Sequence, residues 1–262
     1  MTAARPSTPD QPIPLPRLPQ VTTVLWDLDG TLVGFHERTF GVLMPMVAAA
    51  AFADLVPPWR FLKTLHEILP QVRANAGEHT NHELLVHLIA ERLDCDREVI
   101  DARLRRLAGW GFPLLRRCFY PQPEAATLVG ALAARGMRQI VATNPLWPLD
   151  TVLARLAWGR IETARFAFIA SGESMSRSKP QVDYFRGLLD LLGLRPQECV
   201  MVGNDARNDS PASALGIPVY LLDAGAAPAL PAEADPSLVS SGDWAALAAW
   251  LGVTEGAACS SS

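Results

Sequence analysis

The chain has 262 residues, 49% hydrophobic and 19% charged, with a net charge of −4. That is enough apolar material for one large domain or two modest ones, and no run of Lys or Arg marks a nucleic-acid or acidic-membrane surface. Its four cysteines, Cys95, Cys118, Cys199 and Cys259, lie far apart without metal-ligand spacing, which predicts reduced thiols in a cytoplasmic protein.

Residues 1–20 hold Pro6, Pro9, Pro12, Pro14, Pro16 and Pro19 but no apolar signal core, and read as an extended or disordered tail rather than a targeting peptide. A first strand follows over 21–27, VTTVLWD, an apolar run that climbs to Asp27 and Asp29 and breaks at Gly30. In isolation, two acids at a strand end are either a solvated turn or a pair of catalytic groups.

From 36 to about 118 the apolar residues recur at helical spacing, as in Phe61, Leu62, Leu65, Ile68 and Leu69 and again in Leu84, Leu85, Leu88 and Ile89. This predicts a helical block, with Trp59 and Trp110 in its core. The uncharged stretch between Arg38 and Asp54 is 15 residues long and interrupted by Pro45, whereas a membrane span takes about 20. His79, His82 and His87 lack the i, i+4 spacing of a helical metal site, and are expected on a solvated face or facing a substrate.

Beyond Pro121 the pattern alternates. A helix over 123–135 stops at Gly136 and precedes the strand RQIVATN. A helix over 149–158 leads to RFAFIAS, and a helix over 181–192 closed by Gly193 leads to CVMVGND. A helix opened by Ser210-Pro211 leads to IPVYLLD, and a short helix over 243–251 follows. Alternating elements with continuous apolar strands predict an α/β fold, a doubly wound parallel sheet carrying an inserted all-α domain.

In such sheets ligands bind beyond the carboxyl ends of the strands. The residues there are Asp27 and Asp29, Thr143 and Asn144, Ser171 to Glu173, Asn204 and Asp205 with Asp209 close behind, and Asp223. Carboxylates gathered on one edge repel one another unless a hard cation such as Mg²⁺ joins them, and acids around Mg²⁺ suit phosphate chemistry. Thr143 can donate to a phosphoryl oxygen, and Lys179 in SRSKPQ precedes a helix start where an anion could be held. Glu173 either helps to position Lys179 or is a solvated loop acid.

DLDGTL at 27–32, ATN at 142–144, SKP at 178–180 and GNDARND at 203–209 resemble, in order and spacing, the four motifs of the haloacid dehalogenase superfamily of hydrolases. The resemblance runs from about 21 to 223. It implies a Rossmann-like core over 21–34 and 119–253, a helical cap over 35–118, and a flexible tail over 254–262. It further implies that Asp27 is a nucleophile forming an aspartyl-phosphate and that Asp29 is general acid and base. Asp27, Thr143, Asn144 and Lys179 would bind the phosphoryl group. Mg²⁺ would be held by Asp27, Asp29 through its backbone carbonyl, and the fourth-motif acids Asp205 and Asp209. Two registers of that motif are open, one with Asp205 as first acid and one with Asn204 there; the first keeps both charges and is favoured, with Asp205 as the direct ligand.

Family members that release halide lack the second acid, so Asp29 favours a phosphatase. The expected partner is a small phosphorylated metabolite, with no nucleic acid and no membrane. Alternatives are a phosphomutase, a 2-haloacid dehalogenase, or a non-catalytic binding protein on the same fold.

Overall fold

The computed structural model describes residues 21–223 and 228–253; the tails expected over 1–20 and 254–262 lie outside the described residues. Strand β1 (Thr23–Trp26) is the centre of the molecule. Val24 and Trp26 point into the apolar layer on one face, and Leu25 into the layer on the other, the two-residue alternation of a strand buried on both sides. Trp26 donates its indole N–H to the Gln139 side-chain oxygen at 3.0 Å, and Gln139 in turn donates to the Val129 carbonyl at 2.9 Å. The polar atoms beside the strand are thereby satisfied.

After β1 the chain forms β2 (Val33–Phe35), then α1 (Glu37–Ala51), α2 (Pro58–Arg73), α3 (Asn81–Leu93) and α4 (Arg97–Arg106). A π turn over Leu107–Gly111 and a 3₁₀ turn over Phe112–Cys118 lead back to β3 (Phe119–Pro121), which pairs antiparallel with β2. The helical insert is thus mounted on a two-stranded ribbon of three residues per strand. A ribbon that short leaves no period-two pattern, and sequence periodicity did not predict it.

The remaining elements are α5 (Pro123–Ala134), β4 (Arg138–Val141), α6 (Leu149–Trp158), β5 (Phe168–Ile169), α7 (Val182–Leu192), β6 (Cys199–Gly203), α8 (Ala206–Asp209), β7 (Val219–Leu222), β8 (Val239–Gly242) and α9 (Trp244–Trp250). The sheet is parallel with order β5-β4-β1-β6-β7-β8. The chain winds outward from β1 to one side and then, from β6, to the other. The carboxyl end of β1 is therefore the point where the winding reverses, the place where ligands bind in such sheets. Trp26 is level with Val141 and Val202, so Asp27 follows immediately beyond the sheet.

Three local expectations are corrected. Strand β8 was not foreseen, because Ser240, Ser241 and Gly242 make its sequence polar and glycine-ended. The helix expected to open at Ser210-Pro211 begins earlier, at Ala206, and tightens into a 3₁₀ turn over Ser210–Leu215. Trp59 and Trp110 are 68% and 58% exposed rather than in the core. Trp59 sits in the first turn of α2, where Phe61 and Ile68 take the inward face, and Trp110 lies in the π turn, whose buried positions are Leu107, Ala108 and Gly111.

Insert and sheet share one hydrophobic cluster. Phe112 stacks on Trp158 of α6 with centroids 5.5 Å apart, and Phe119 lies 5.4 Å from the same ring. A polar clamp acts beside this contact. Asn81, fully buried at the start of α3, donates to the Pro145 carbonyl at 3.1 Å and the Arg177 carbonyl at 3.0 Å, while its own oxygen accepts from Asn75 at 2.9 Å. No described helix is long and apolar enough to cross a membrane. Cys95, Cys118 and Cys199 carry free thiols.

Replacing Asn81 by Ala strips two core carbonyls of their donor. Equilibrium urea unfolding should register a loss of about 2–6 kcal/mol, since each buried group left unpaired costs about 1–3 kcal/mol; a loss below about 0.5 kcal/mol would show that the clamp contributes little.

Candidate active site

The site is built on the ends of β1, β4 and β6 and on the loop before α7. The Asp27 N–H donates to the Val202 carbonyl at 2.8 Å, which ties the first acid to the neighbouring strand. The chain then folds tightly: Gly30 donates to the Val33 carbonyl at 2.7 Å and Val33 to the Leu28 carbonyl at 2.9 Å. Gly30 has φ +90, and a Cβ there would lie 2.3 Å from the Asn204 side-chain nitrogen. Only glycine meets both demands. Thr31 donates to the Asn204 side-chain oxygen at 3.2 Å, so Asn204 covers this loop.

Lys179 is the electrostatic centre. Its ammonium is 1% exposed and donates to Asp27 Oδ1 at 2.8 Å and to Asp209 Oδ1 at 2.6 Å. Burial works against its charge, but Asp209 and Asp27 outweigh burial and hold the pKa above the ordinary lysine value. Asp209 is fully buried, and its second oxygen accepts the N–H groups of Asn204 and Asp205, both at 3.1 Å. A Cβ on Gly203 would come within 2.0 Å of that oxygen, so the glycine at the end of β6 makes room for the carboxylate. Burial raises the Asp209 pKa, and Lys179 with the backbone hydrogen bond opposes it.

Asp29 has a different partner. Its Oδ2 accepts from Arg155 Nη1, a buried arginine of α6. Burial raises the Asp29 pKa above the ordinary carboxylate value, Arg155 pulls it down, and the nearby Asp27 charge raises it further. The two acids of the DLDGTL motif thus sit in unlike environments, one against a lysine shared with Asp209 and one against an arginine of its own.

Thr143 is buried at the end of β4, where its carbonyl accepts the Tyr184 hydroxyl at 2.8 Å. Burial lifts the Tyr184 phenol above its ordinary pKa, so it stays a neutral donor. Asn144 follows, with a buried side-chain oxygen that meets no donor. Asp205 points elsewhere: it is exposed, and its carboxylate caps α8 by accepting from the N–H groups of Arg207 and Asn208. Glu173 accepts the Leu149 N–H at 2.9 Å. In the insert, His82 is buried against Asp101 at 2.6 Å, and His87 meets Arg97.

Asp27, Asp29, Asp209, Lys179, Thr143 and Asn144 therefore gather at one sheet edge, and Asp205 does not turn its carboxylate towards Lys179. Sequence reasoning missed Arg155. Its signal was a cation in the apolar stripe of α6, where Thr151, Val152, Arg155 and Leu156 are the buried positions.

Three carboxyl groups face two cations here, an excess of one negative charge whenever all three are ionised. Asp29 Oδ1 and Asn144 Oδ1 are in addition buried oxygens without a donor. Among the described residues no three His, Cys, Asp or Glu side chains form a ready ligand set. The excess charge and free oxygens nevertheless fit a hard cation whose remaining ligands are backbone, water or substrate oxygens.

A family model for haloacid dehalogenase-like hydrolases matches residues 21–215. The chain is 32% identical over 234 residues to a phosphoglycolate phosphatase of Rhodospirillum rubrum, covering 87% of this chain and 90% of that protein. A phosphoglycolate phosphatase of Xylella fastidiosa is 25% identical over 199 residues, with 75% and 77% covered. The structure of a HAD phosphatase from Thermococcus onnurineus superposes with TM-score 0.54 at 17% identity, covering 88% of this chain and 98% of that one; at that identity the likeness concerns the fold.

Replacing Lys179 by Met leaves two carboxylates without their cation, at an expected cost of about 3–5 kcal/mol. The loss should be larger at about pH 8 than at about pH 5. In the variant, folded Asp209 holds a proton that the unfolded chain releases, so stability falls as pH climbs through the interval between the two pKa values. In the parent, Lys179 holds the Asp209 pKa lower, so the same fall is smaller, and the raised lysine pKa gives a contribution fully present below the unfolded value of about 10.4 and lost only above it. Urea unfolding at both pH values checks this, and an equal loss at each would refute the coupling.

Proposed function

The chain belongs to the haloacid dehalogenase-like hydrolases, and from that premise we propose that it is a Mg²⁺-dependent phosphatase of a small phosphomonoester. Phosphoglycolate is the first substrate to test, being the one named for relatives that align along most of this chain. The observation that carries the reading is the division of the two acids after β1: Asp27 against Lys179, Asp29 against Arg155. Acids at one site whose surroundings differ in this way are suited to different tasks.

In this reading a carboxylate oxygen of Asp27 attacks phosphorus as the ester P–O bond breaks, giving an aspartyl-phosphate. Asp29 delivers its proton to the departing alkoxide oxygen. Asp29, now a carboxylate, takes a proton from water as that water displaces the phosphate from Asp27. Lys179 and the Thr143 hydroxyl steady the phosphoryl oxygens. Mg²⁺ would be held by Asp27, the Asp29 backbone carbonyl and fourth-motif oxygens, where it offsets negative charge on the site and the phosphoryl group. Residues 35–118 would act as a cap that closes on the leaving group, with 21–34 and 119–253 as the core.

Purified protein with Mg²⁺ should release phosphate from phosphoglycolate and lose that activity on chelation. Asp27→Asn should reduce turnover to background, and Asp29→Asn should lower it about 10²–10⁴-fold. Full activity in the Asp27 variant would remove the nucleophile assignment, and halide release from a 2-haloacid without phosphatase activity would replace this reading with a dehalogenase.

A further inference from the structure

Arg155 is built into the molecule more firmly than a surface cation on a helix. It is 3% exposed, its Nε donates to the Thr151 carbonyl at 3.1 Å, and the Phe112 ring lies 5.8 Å from the guanidinium carbon. Phe112 is itself clamped against Trp158. The guanidinium is thus held by its own helix on one side and by the insert on the other, with its Nη1 aimed at Asp29 Oδ2. Burying an arginine carries a large desolvation cost, and a short-chain surface pair would not require it.

The pairing leaves a definite remainder. Asp29 Oδ2 is occupied by Arg155, whereas Asp29 Oδ1 and Arg155 Nη2 are both buried without a partner. A carboxylate held through one oxygen cannot spin about its terminal bond, and the other oxygen is fixed in direction. Lys179, by contrast, contacts Asp27 and Asp209, so Arg155 is the cation that orients the second acid.

We propose that Arg155 is a positioning residue for Asp29: by anchoring Oδ2 it fixes the carboxyl group from which the proton passes to the leaving-group oxygen. The inference rests on the reading of Asp29 as general acid and extends it to a residue outside the four motifs. Arg155 touches no reacting atom; it acts through Asp29. Misplacing a catalytic group by about 1 Å costs about 10²-fold in rate, and that is the size of the effect to look for.

The test exploits leaving groups that differ in their need for a proton. 4-Nitrophenolate departs as a stable anion, whereas an alkoxide needs protonation as its bond breaks. kcat/KM is measured with Mg²⁺ for 4-nitrophenyl phosphate, 2-hydroxyethyl phosphate and phosphoglycolate, in the parent, Arg155→Met and Arg155→Lys. For each variant the ratio between substrates comes from one preparation and is independent of the folded fraction. Both alkyl esters should lose about 10²-fold relative to the aryl ester in Arg155→Met, with part of the loss restored in Arg155→Lys. An equal loss on all three substrates means a purely structural arginine and overturns the proposal. A loss confined to phosphoglycolate, as a rise in KM, means that Arg155 binds the substrate carboxylate and overturns it too. A parent protein that hydrolyses none of the three refutes the phosphatase reading itself, a result distinguishable from failure of the arginine's role in an active parent.

Discussion

The contact on which the rest depends is the buried ammonium of Lys179 between Asp27 and Asp209. It joins the loop before α7 to the ends of β1 and β6, the two strands that meet at the reversal of winding. Each carboxylate alone would be an uncompensated charge beside a fully apolar strand, and the lysine alone would be worse placed still. Together they are tolerable, because the backbone N–H groups of Asn204 and Asp205 take up the remaining oxygen of Asp209. The absence of a side chain at Gly203 lets that carboxylate approach closely enough to receive them. A local sequence feature, glycine before an acidic loop, is thereby a condition for a contact spanning thirty residues of chain.

Much of this was legible in the sequence, for identifiable reasons. Continuous apolar strands such as TVLW and CVMVG are fully buried and announce a parallel sheet. Once the sheet is parallel, the strand ends must share an edge, and Asp27, Thr143 and Asp209 follow. What escaped was of two kinds. Elements too short to show a period, such as the β2–β3 ribbon, give no signal in a residue pattern. Side-chain direction is the other: Asp205 and Asp209 are the same residue type, yet the first spends its carboxylate on the cap of α8 and the second is drawn under β6. Arg155 falls between these cases, since a cation on an apolar helical stripe was visible but its partner, 126 positions away, was not.

The exposed tryptophans carry a related lesson. Trp59 and Trp110 are expected in the core of the helical block, but the insert fills its interior with Phe52, Phe61, Ile68 and Ile89, and Phe52 stacks on Phe61 at 4.1 Å. Size predicts burial only on average, while position in the turn decides it. Trp59 at the second residue of α2 and Trp110 in a π turn are in register with solvent.

The insert also reaches both cations of the site. Phe112 covers the guanidinium of Arg155, and the α2–α3 connection meets the segment that carries Lys179: Ser178 donates to the Arg73 carbonyl at 2.9 Å, and Asn81 holds the Arg177 carbonyl. A displacement of the insert that carried Phe112 away would uncover Arg155, and one that carried Asn81 would release the residues just before Lys179. Under the proposed function, an insert loosely hinged on its ribbon would select a substrate without touching Asp27 or Asp29. Here the same insert leans on the residues that hold Asp27 and Asp29, so under the proposed function selection and catalysis would draw on one set of contacts. That arrangement accounts for the buried asparagine at the junction: a polar clamp fixes the direction of approach in a way that a purely apolar contact between Phe112 and Trp158 would not.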